Sequence, residues 1–246
     1  MNFKVKLTYT LLLGSLATLP ATAQIEDVWT RFYNGPEERL EEILWDVYQT
    51  EDAGFAACGI TGVRFPEQNR TATCFWVVRT NSDGELVWAR AYPRDANNSD
   101  QAYTIIETDA GGFLVGGSFA EAHYIGSFGV ILTSDDGDLL WRRICNGDNT
   151  GRCSAVIEMK DGDFLAAGNT WVEEGNIAYA VILNEDGDIL EELFYPQGSV
   201  FGAVREIEDN GFIFSGGSRN GSWILRVDEN YDVVWSRTFD DDVLYE

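Results

Sequence analysis

Hydrophobic and polar positions along this chain form short apolar runs of four to seven residues, each ended by glycine, aspartate, asparagine or serine. Such runs, rich in β-branched and aromatic residues, predict β-strands. The clearest stretch predicts four strands in succession, at 102–108, 113–118, 128–132 and 138–144. The only competing helical signal is a short acidic turn over 36–44. The pattern therefore predicts an all-β protein.

The four-strand pattern recurs around a phenylalanine that is followed four residues later by a glycine and preceded by an aspartate that opens a turn. The phenylalanines lie 58, 51 and 48 residues apart. Periods in this range indicate a repeat architecture. The pairs are Phe55 and Gly59, Phe113 and Gly117, Phe164 and Gly168, and Phe212 and Gly216, and the aspartates are Asp52, Asp109, Asp161 and Asp209.

The third and fourth strands of each repeat are joined by Asp-Gly at 83–84, 136–137 and 186–187, and by Asn-Tyr at 230–231. Asp-Gly between apolar runs is a strong β-hairpin signal, because glycine adopts positive φ without strain. Four residues after the turn position stand Trp88, Trp141 and Trp235, whereas the third repeat has Glu191 there.

Small residues precede the repeat glycine in every copy, which predicts close packing of a neighbouring sheet. We expect the tryptophan of one sheet to meet these small residues on the next. The small residues are Cys58, Gly116, Ala167 and Ser215.

Tandem four-stranded antiparallel units of this length predict the blades of a β-propeller. The predicted blades span 44–92, 102–145, 154–195 and 201–239. Residues 27–33 resemble the fourth strand at 86–92 and predict a lone N-terminal outer strand, and 240–246 resembles the lead-in to another first strand. Two interpretations stay open: a fragment of a longer propeller, or a short arc or four-bladed ring with one spare strand. An open sheet edge predicts self-association.

The N-terminus carries the features of a secretory signal peptide. Lys4 and Lys6 precede an apolar stretch over 7–19, and the small residues 21–23 form a cleavage site. We therefore expect 1–23 to be removed before Gln24, a secreted or periplasmic location, and a single mature domain over 24–246. No further apolar stretch follows, so membrane insertion is not expected.

Charge limits the classes of partner. Without the two lysines of the signal peptide, 15 basic residues face 41 acidic ones, a formal charge of −26. Such a field repels nucleic acid and anionic membranes. Three interpretations remain: a solvated surface that keeps an exported protein soluble, adaptation to a salty medium that screens the repulsion, or a specific cationic partner.

Four cysteines in an exported chain predict two disulfides. Spacing favours Cys58 with Cys74, which would close a hairpin loop of 15 residues, and Cys145 with Cys153, which would tie two repeats together. There is no Cys-x-x-Cys pair, so metal binding by these thiols is not expected.

Candidate chemistry is sparse, and we expect no cofactor and assign no catalytic residue. The single histidine, His123, lies on a predicted loop without a Gly-x-Ser-x-Gly elbow. The acidic clusters at 134–138 and 184–188 lack the spacing of a calcium loop and are explained by hairpin turns. Paired carboxylates for glycoside hydrolysis would arise by chance among 41 acids. A quinone cofactor would be expected to need a larger ring and a vicinal cysteine pair.

Among the other tryptophans, Trp76 and Trp223 lie on predicted third strands and are expected in the core. Trp45 shares no repeat position with them. Trp171 lies in a predicted loop and is the candidate ligand-binding residue, because loop aromatics on rigid scaffolds are common recognition anchors.

The combination of Asp-x-Gly-Phe-x-x-x-Gly at 109–117 with Asp-Gly-x-Leu-Val-Trp at 83–88 resembles the repeats of exported bacterial β-propeller proteins. This group touches the quinoprotein-like tryptophan-motif propellers and the large multi-repeat surface proteins. The resemblance covers 29–246 and implies an extracytoplasmic, non-enzymatic binding or scaffold domain that recognises a protein or glycan through loops on one face. Two alternatives stay open: a propeller-type glycoside hydrolase or polysaccharide lyase, and a structural segment of a larger surface protein.

Overall fold

The computed structural model describes residues 30–36, 42–120, 126–147 and 149–239. The chain divides into two units, Met1–Thr30 and Arg31–Glu246, and the described strands all lie in the second. The predicted signal peptide, His123 and the lead-in at 240–246 lie outside the described residues. No helix in the described part of the chain is both long and apolar enough to cross a membrane.

Sixteen described strands form four antiparallel sheets, each a meander of four consecutive strands. We call these sheets blades 1 to 4. Blade 1 comprises β1 (Glu42–Gln49), β2 (Phe55–Phe65), β3 (Arg70–Thr80) and β4 (Leu86–Tyr92), with a 3-10 turn at Pro66–Gln68. Blade 2 comprises β5 (Gln101–Glu107), β6 (Phe113–Phe119), β7 (Ser127–Thr133) and β8 (Leu139–Ile144). Blade 3 comprises β9 (Gly151–Glu158), β10 (Phe164–Val172), β11 (Gly175–Leu183) and β12 (Ile189–Tyr195). Blade 4 comprises β13 (Val200–Glu206), β14 (Phe212–Ser218), β15 (Gly221–Val227) and β16 (Val233–Phe239).

The blades pack side by side, and a hydrophobic cluster fills each junction between neighbours. One cluster joins blades 1 and 2, a second joins blades 2 and 3, and a third joins blades 3 and 4. The described first strands, β1, β5, β9 and β13, contact one another in chain order. No comparable packing of described residues joins blade 4 back to blade 1, so the ring is not closed. The predicted β-propeller fold is confirmed.

The repeat glycines have a role that the sequence pattern does not reveal. In every blade the first strand carries a β-bulge opposite this glycine. A Cβ on Gly117 would lie 2.0 Å from the carbonyl oxygen of Gln101, and the other three repeat glycines face the first strand equally closely. Glycine is therefore required because the bulged backbone approaches it. The bulged residues are Trp45, Tyr103, Ser154 and Gly202.

The tryptophans of the fourth strands join neighbouring blades, though by other contacts than those predicted. Trp88 Nε1 donates to the carbonyl of Asp135 in the next blade at 2.9 Å, and its ring lies 5.7 Å from that of Phe113. A Cβ on Gly137 would meet the Trp88 ring at 3.0 Å. Trp88 thus packs on the hairpin turn of the next blade. Gly116, one of the small residues predicted to meet a tryptophan, instead faces Cys153 on the first strand of blade 3. Blade 2 repeats the arrangement through Trp141, Glu185, Phe164 and Gly187.

A second set of bonds joins the blades near the ends of their first strands. Glu107 Oε2 accepts from the backbone N–H of Glu51 in the preceding blade at 2.7 Å. The other two junctions have the same bond, from Asp109 to Glu158 at 2.7 Å and from Lys160 to Glu206 at 2.9 Å. Part of the acidic composition is thus structural.

The predicted N-terminal outer strand is visible only in part, since 27–29 lie outside the described residues. Residues 30–36 form no strand. Tyr33 nevertheless donates from its hydroxyl to the Gly84 carbonyl at 2.7 Å, as Tyr92 does to Gly137 at 2.8 Å. The segment therefore makes the contact of a fourth strand without belonging to a sheet. The helical turn expected over 36–44 is not seen at Leu44, which lies in β1.

Candidate functional site

A cavity of about 560 Å³ opens at the end of the blades where first strands begin and second strands end. Blades 2 and 3 supply most of its lining, and blade 4 adds Val200. Most lining side chains are hydroxyls, amides and aromatic rings. They are Ser99, Gln101, Tyr103, Ser118, Ala120, Gly126, Thr150, Gly151, Arg152, Asn169, Trp171, Asn176 and Val200. We call this the Trp171 cavity.

Trp171 lies near the end of β10, and 55% of its surface is exposed. Its backbone N–H donates to the Thr150 carbonyl at 2.7 Å, which holds the main chain against the loop entering blade 3. The exposed ring is thus carried by a fixed backbone. The residue predicted as a ligand contact lines a cavity, although it belongs to a strand and not to a loop.

Amide side chains beside Trp171 present both donors and acceptors. Asn169 Nδ2 donates to Asn176 Oδ1 at 2.7 Å. Among the described residues, the Oδ1 of Asn169 and the Nδ2 of Asn176 make no other side-chain hydrogen bond. Gln101 Oε1 accepts from the Tyr103 hydroxyl at 2.5 Å, which leaves the Gln101 amide nitrogen available.

Two further residues of the cavity lining, Tyr103 and Arg152, are not singled out by the sequence pattern. Tyr103, a bulged residue, stacks on Trp45 of blade 1 with ring centroids 5.2 Å apart. The Arg152 guanidinium lies over the Tyr103 ring, 5.5 Å from its centroid. Trp45 and Tyr103 both stand ten residues before a repeat phenylalanine, Phe55 or Phe113. Comparing that position between repeats is the signal that would have found them.

A buried ion pair fixes the loop that enters blade 2 at the cavity. Arg94 donates to Asp100 through Nε and Nη2, both at 2.8 Å, and the Asp100 side chain is fully buried. Asp100 also accepts from the Ala120 backbone N–H at 3.0 Å. Burial raises the pKa of Asp100, against the lowering effect of Arg94. The pair therefore holds Ser99 and Ala120, two cavity residues, in place.

A second cavity of about 680 Å³ runs along the first strands and includes the bulged residues Trp45, Tyr103 and Gly202. Of the four carboxylates on its described lining, Asp46, Glu107 and Glu158 each accept a backbone N–H group from a neighbouring blade, whereas Asp109 has no such bond to a described residue. Burial raises the pKa of Glu158 above its usual range. The described residues contain no group of three or more His, Cys, Asp or Glu side chains arranged to hold a metal ion. The three bonded carboxylates therefore help to join the blades of the propeller.

All four cysteines are buried and none is joined in a disulfide, so the two predicted bridges are not shown, and the prediction for Cys58 and Cys74 is corrected. Cys58 is opposite Val77, and Cys74 is opposite Thr61 on the neighbouring strand. Because side chains alternate along a strand, Cys58 faces blade 2 while Cys74 points to the other face of blade 1, so the structure does not support a bridge between them. Cys145 and Cys153 share the cluster between blades 2 and 3, and a bridge between them stays a prediction.

The other residues considered in the sequence are the core tryptophans, the acidic clusters and His123. Trp76 and Trp223 are 2% and 1% exposed, which confirms their place in the core. The acidic clusters at 134–138 and 184–188 form hairpin turns, in which Gly137 and Gly187 have φ of 80° and 76°. His123 lies outside the described residues, so no role is assigned to it.

No protein-family model matches this sequence, and no curated protein matches it. Solved structures do match. The Neurospora crassa Pan2 WD40 domain aligns with a TM-score of 0.51 and 12% identity, over 79% of this chain and 49% of that one. A protein of unknown function from Bacteroides caccae gives 0.47 and 14%, over 74% and 58%. A candidate glycoside hydrolase from Parabacteroides distasonis gives 0.44 and 12%, over 80% and 73%.

The likeness to the WD40 domain supports the fold class and no more. WD40 domains are β-propellers, and four antiparallel four-stranded blades place this chain in the same fold class. The chain spans about half the length of the first two structures, at 58% and 49%. Identities this low carry no statement about activity.

Proposed function

We propose that this chain is an exported, non-enzymatic β-propeller binding module that recognises a glycan or protein ligand at the Trp171 cavity. The observation that carries the proposal is a ring that is 55% exposed, set in a cavity lined by amides and hydroxyls. Binding sites are typically concave, with few polar groups placed to orient a ligand, and aromatic side chains dominate recognition energetics. Export rests on the signal-peptide pattern of 1–23, and the bacterial repeat type rests on the sequence motifs.

Binding is favoured over hydrolysis by the lining of the cavity. Glycoside hydrolysis ordinarily needs two carboxyl groups about 5 to 9.5 Å apart on either side of the scissile bond. The described lining of the Trp171 cavity contains no Asp or Glu. A structural segment of a larger surface protein stays an alternative, and it would leave this cavity without a ligand.

The test is a glycan array probed with the mature chain, residues 24–246, and with its Trp171→Ala variant. We expect wild-type signal on a subset of glycans and a loss of at least tenfold with Trp171→Ala. Phe32→Ala is the matched control, since the Phe32 ring is 90% exposed and lies outside the cavity. Equal binding by wild type and Trp171→Ala would reject the site. Release of reducing sugar from a bound polysaccharide would replace the binding module with the hydrolase alternative.

Export is tested by expressing the full chain in a bacterium and sequencing the N-terminus of the product. We expect periplasmic or secreted material beginning at Gln24. Material that stays in the cytoplasm with residues 1–23 intact would refute export.

A further inference from the structure

The charge of the Trp171 cavity is opposite to that of the protein as a whole. The sequence has a formal charge of −24, yet Arg152 is the one charged side chain on the described lining of the cavity. Five ion pairs are found among the described residues, and none of them includes Arg152. Other arginines of the described chain also lack an ion pair, so what distinguishes Arg152 is its position on a cavity whose described lining contains no carboxylate.

Arg152 is placed so that its guanidinium can contact a ligand in the cavity. The residue is exposed at the start of β9, and its guanidinium lies over the Tyr103 ring. Stacking on an aromatic ring orients the planar guanidinium and leaves its N–H groups directed outward. An oriented guanidinium binds a carboxylate in bidentate fashion, with two parallel hydrogen bonds.

The rest of the lining indicates a sugar as the carrier of that carboxylate. Trp171 offers an exposed apolar ring, while Asn169, Asn176 and Gln101 offer amide donors and acceptors suited to hydroxyl groups. A peptide carboxylate would meet the same arginine, but seven of the thirteen lining residues carry a hydroxyl or an amide, which suits the many hydroxyl groups of a sugar.

We infer that the Trp171 cavity recognises a carboxylated sugar, a uronic acid within a glycan, with Arg152 binding the carboxylate and Trp171 packing on the ring. This inference rests on the proposed function and specifies its ligand. The chain's negative charge repels acidic polymers at a distance, so affinity depends on Arg152 and rises when salt screens the repulsion.

The experiment is isothermal titration of the mature chain with trigalacturonate, trimannuronate and a hyaluronan tetrasaccharide, each paired with its methyl ester. Esterification removes the charge while keeping the sugar ring. We expect at least one acid to bind at least tenfold more tightly than its ester, which equals about 1.4 kcal/mol. Arg152→Gln should remove this preference, and Arg152→Lys should restore part of it.

Arg237→Gln is the matched control, because Arg237 lies over Trp235 at 6.0 Å on blade 4, away from the cavity. It should retain the preference for the acid. Circular dichroism of each variant checks that the fold is intact.

The other outcomes overturn the inference, and they separate it from the proposed function. Equal binding of acid and ester, both lost in Trp171→Ala, rejects the uronic acid but keeps the binding module. If a peptide with a free C-terminal carboxylate binds and none of the three oligosaccharides does, the inference of a sugar ligand is rejected. If no probe binds and Trp171→Ala changes no signal on the glycan array, both the inference and the proposed function fail.

Discussion

At the residue scale, Asp52 shows how a single carboxylate stabilises a blade. It accepts from Arg79 Nη2 at 2.7 Å, from Thr50 Oγ1 at 2.7 Å and from the Gly54 backbone N–H at 3.0 Å. The hydrogen bond from Arg79, followed by the one from Thr50, lowers the pKa of Asp52 far below its usual range. Asp209 and Arg226 form the same pair in blade 4, where the arginine is more exposed than Arg79.

Replacing Asp52 with Asn should weaken the acid-side dependence of stability. A carboxyl group whose pKa is lower in the folded state contributes stability above its usual pKa of about 4, and that stability is lost as the pH falls towards the folded-state pKa. We expect Asp52→Asn to lower the free energy of unfolding at pH 7 by less than about 1 kcal/mol, because the carboxylate is exposed. The two proteins should converge only as the pH falls below about 4, towards the lowered pKa of the folded state.

Urea unfolding at several pH values measures this convergence. Asp209→Asn is the matched control, because it removes the same kind of pair with a more exposed arginine partner. A difference between wild type and Asp52→Asn that stays constant from pH 7 down to about pH 2 would contradict the assignment.

The cysteine thiols give a second prediction at the residue scale. Burial raises the pKa of Cys74 and of Cys145 to about 12, and it raises those of Cys58 and Cys153 as well. Thiols that stay protonated and buried react slowly with iodoacetamide. We expect no alkylation of the folded protein at pH 8, and alkylation of Cys58 and Cys74 once it is unfolded without reductant.

Peptide mapping by mass spectrometry reads each cysteine separately. A cross-linked peptide joining Cys58 to Cys74 would contradict the structure. The same map reports on Cys145 and Cys153, whose bridge is still a prediction from spacing.

At the scale of the element, two departures from the repeat turn out to be coupled. The third repeat has Glu191 where the others have tryptophan, and the fourth has Tyr231 where the others have the turn glycine. In the structure Tyr231 has φ of 62° and stacks on Phe212 at 5.4 Å, which is the place that tryptophan takes at the other two junctions. Its carbonyl still accepts from the Tyr195 hydroxyl at 3.1 Å. One aromatic ring per junction is kept, supplied by one blade or by the other.

Exchanging both residues should therefore be tolerated better than exchanging one. Glu191→Trp alone should destabilise by about 1 to 3 kcal/mol, because two rings compete for one space. Glu191→Trp combined with Tyr231→Gly should recover most of that loss, with a favourable coupling energy of at least about 1 kcal/mol. The free energies of unfolding of wild type, the two single variants and the double variant, measured with denaturant, complete this double-mutant cycle.

The reverse exchange at the preceding junction, Trp141→Glu with Gly187→Tyr, provides the matched comparison. Additive effects, with a coupling below about 0.5 kcal/mol, would show that the two departures are independent.

The sequence pattern predicts strands and their grouping well, because both depend on local signals. Phe113, the Asp-Gly turn at 136–137 and alternation within each run suffice for the second blade. The bulges are different, because the need for Gly117 comes from the Gln101 carbonyl on another strand. The cavity is harder still, since Tyr103, Arg152 and Trp171 come together only through the packing of two blades. The bond from Trp88 to Asp135 likewise spans 47 residues, and no spacing within one repeat predicts it.

At the scale of the whole molecule, charge and ion pairing are far out of balance. The mature chain would carry a formal charge of −26, and the described residues form five ion pairs. Self-repulsion of this kind destabilises a compact state and is screened by salt. Salt also weakens the exposed ion pairs, but each of these contributes only about 0 to 1 kcal/mol to stability, so their loss is small compared with the reduced self-repulsion.

Stability should accordingly increase with ionic strength. We expect the urea midpoint of the mature chain to rise between 0.05 and 0.5 M NaCl, and KCl to give the same increase. Urea is the suitable denaturant because guanidinium is itself a salt. A midpoint that falls or stays constant would show that the acidic residues are spaced too widely to repel one another.

The indole-to-carbonyl hydrogen bonds of Trp88 and Trp141 both run in the same direction along the chain, because in each case the indole belongs to one blade and the carbonyl to the next. The array of blades is therefore directional: the side of a blade that faces its successor carries the indole donor, and the side that faces its predecessor carries the carbonyl acceptor. A gene duplication that copied one whole unit would deliver matching groups to both neighbours at once, whereas losing a lone strand would leave them mismatched. Growth and shrinkage by entire units is the evolutionary route that such a geometry leaves open.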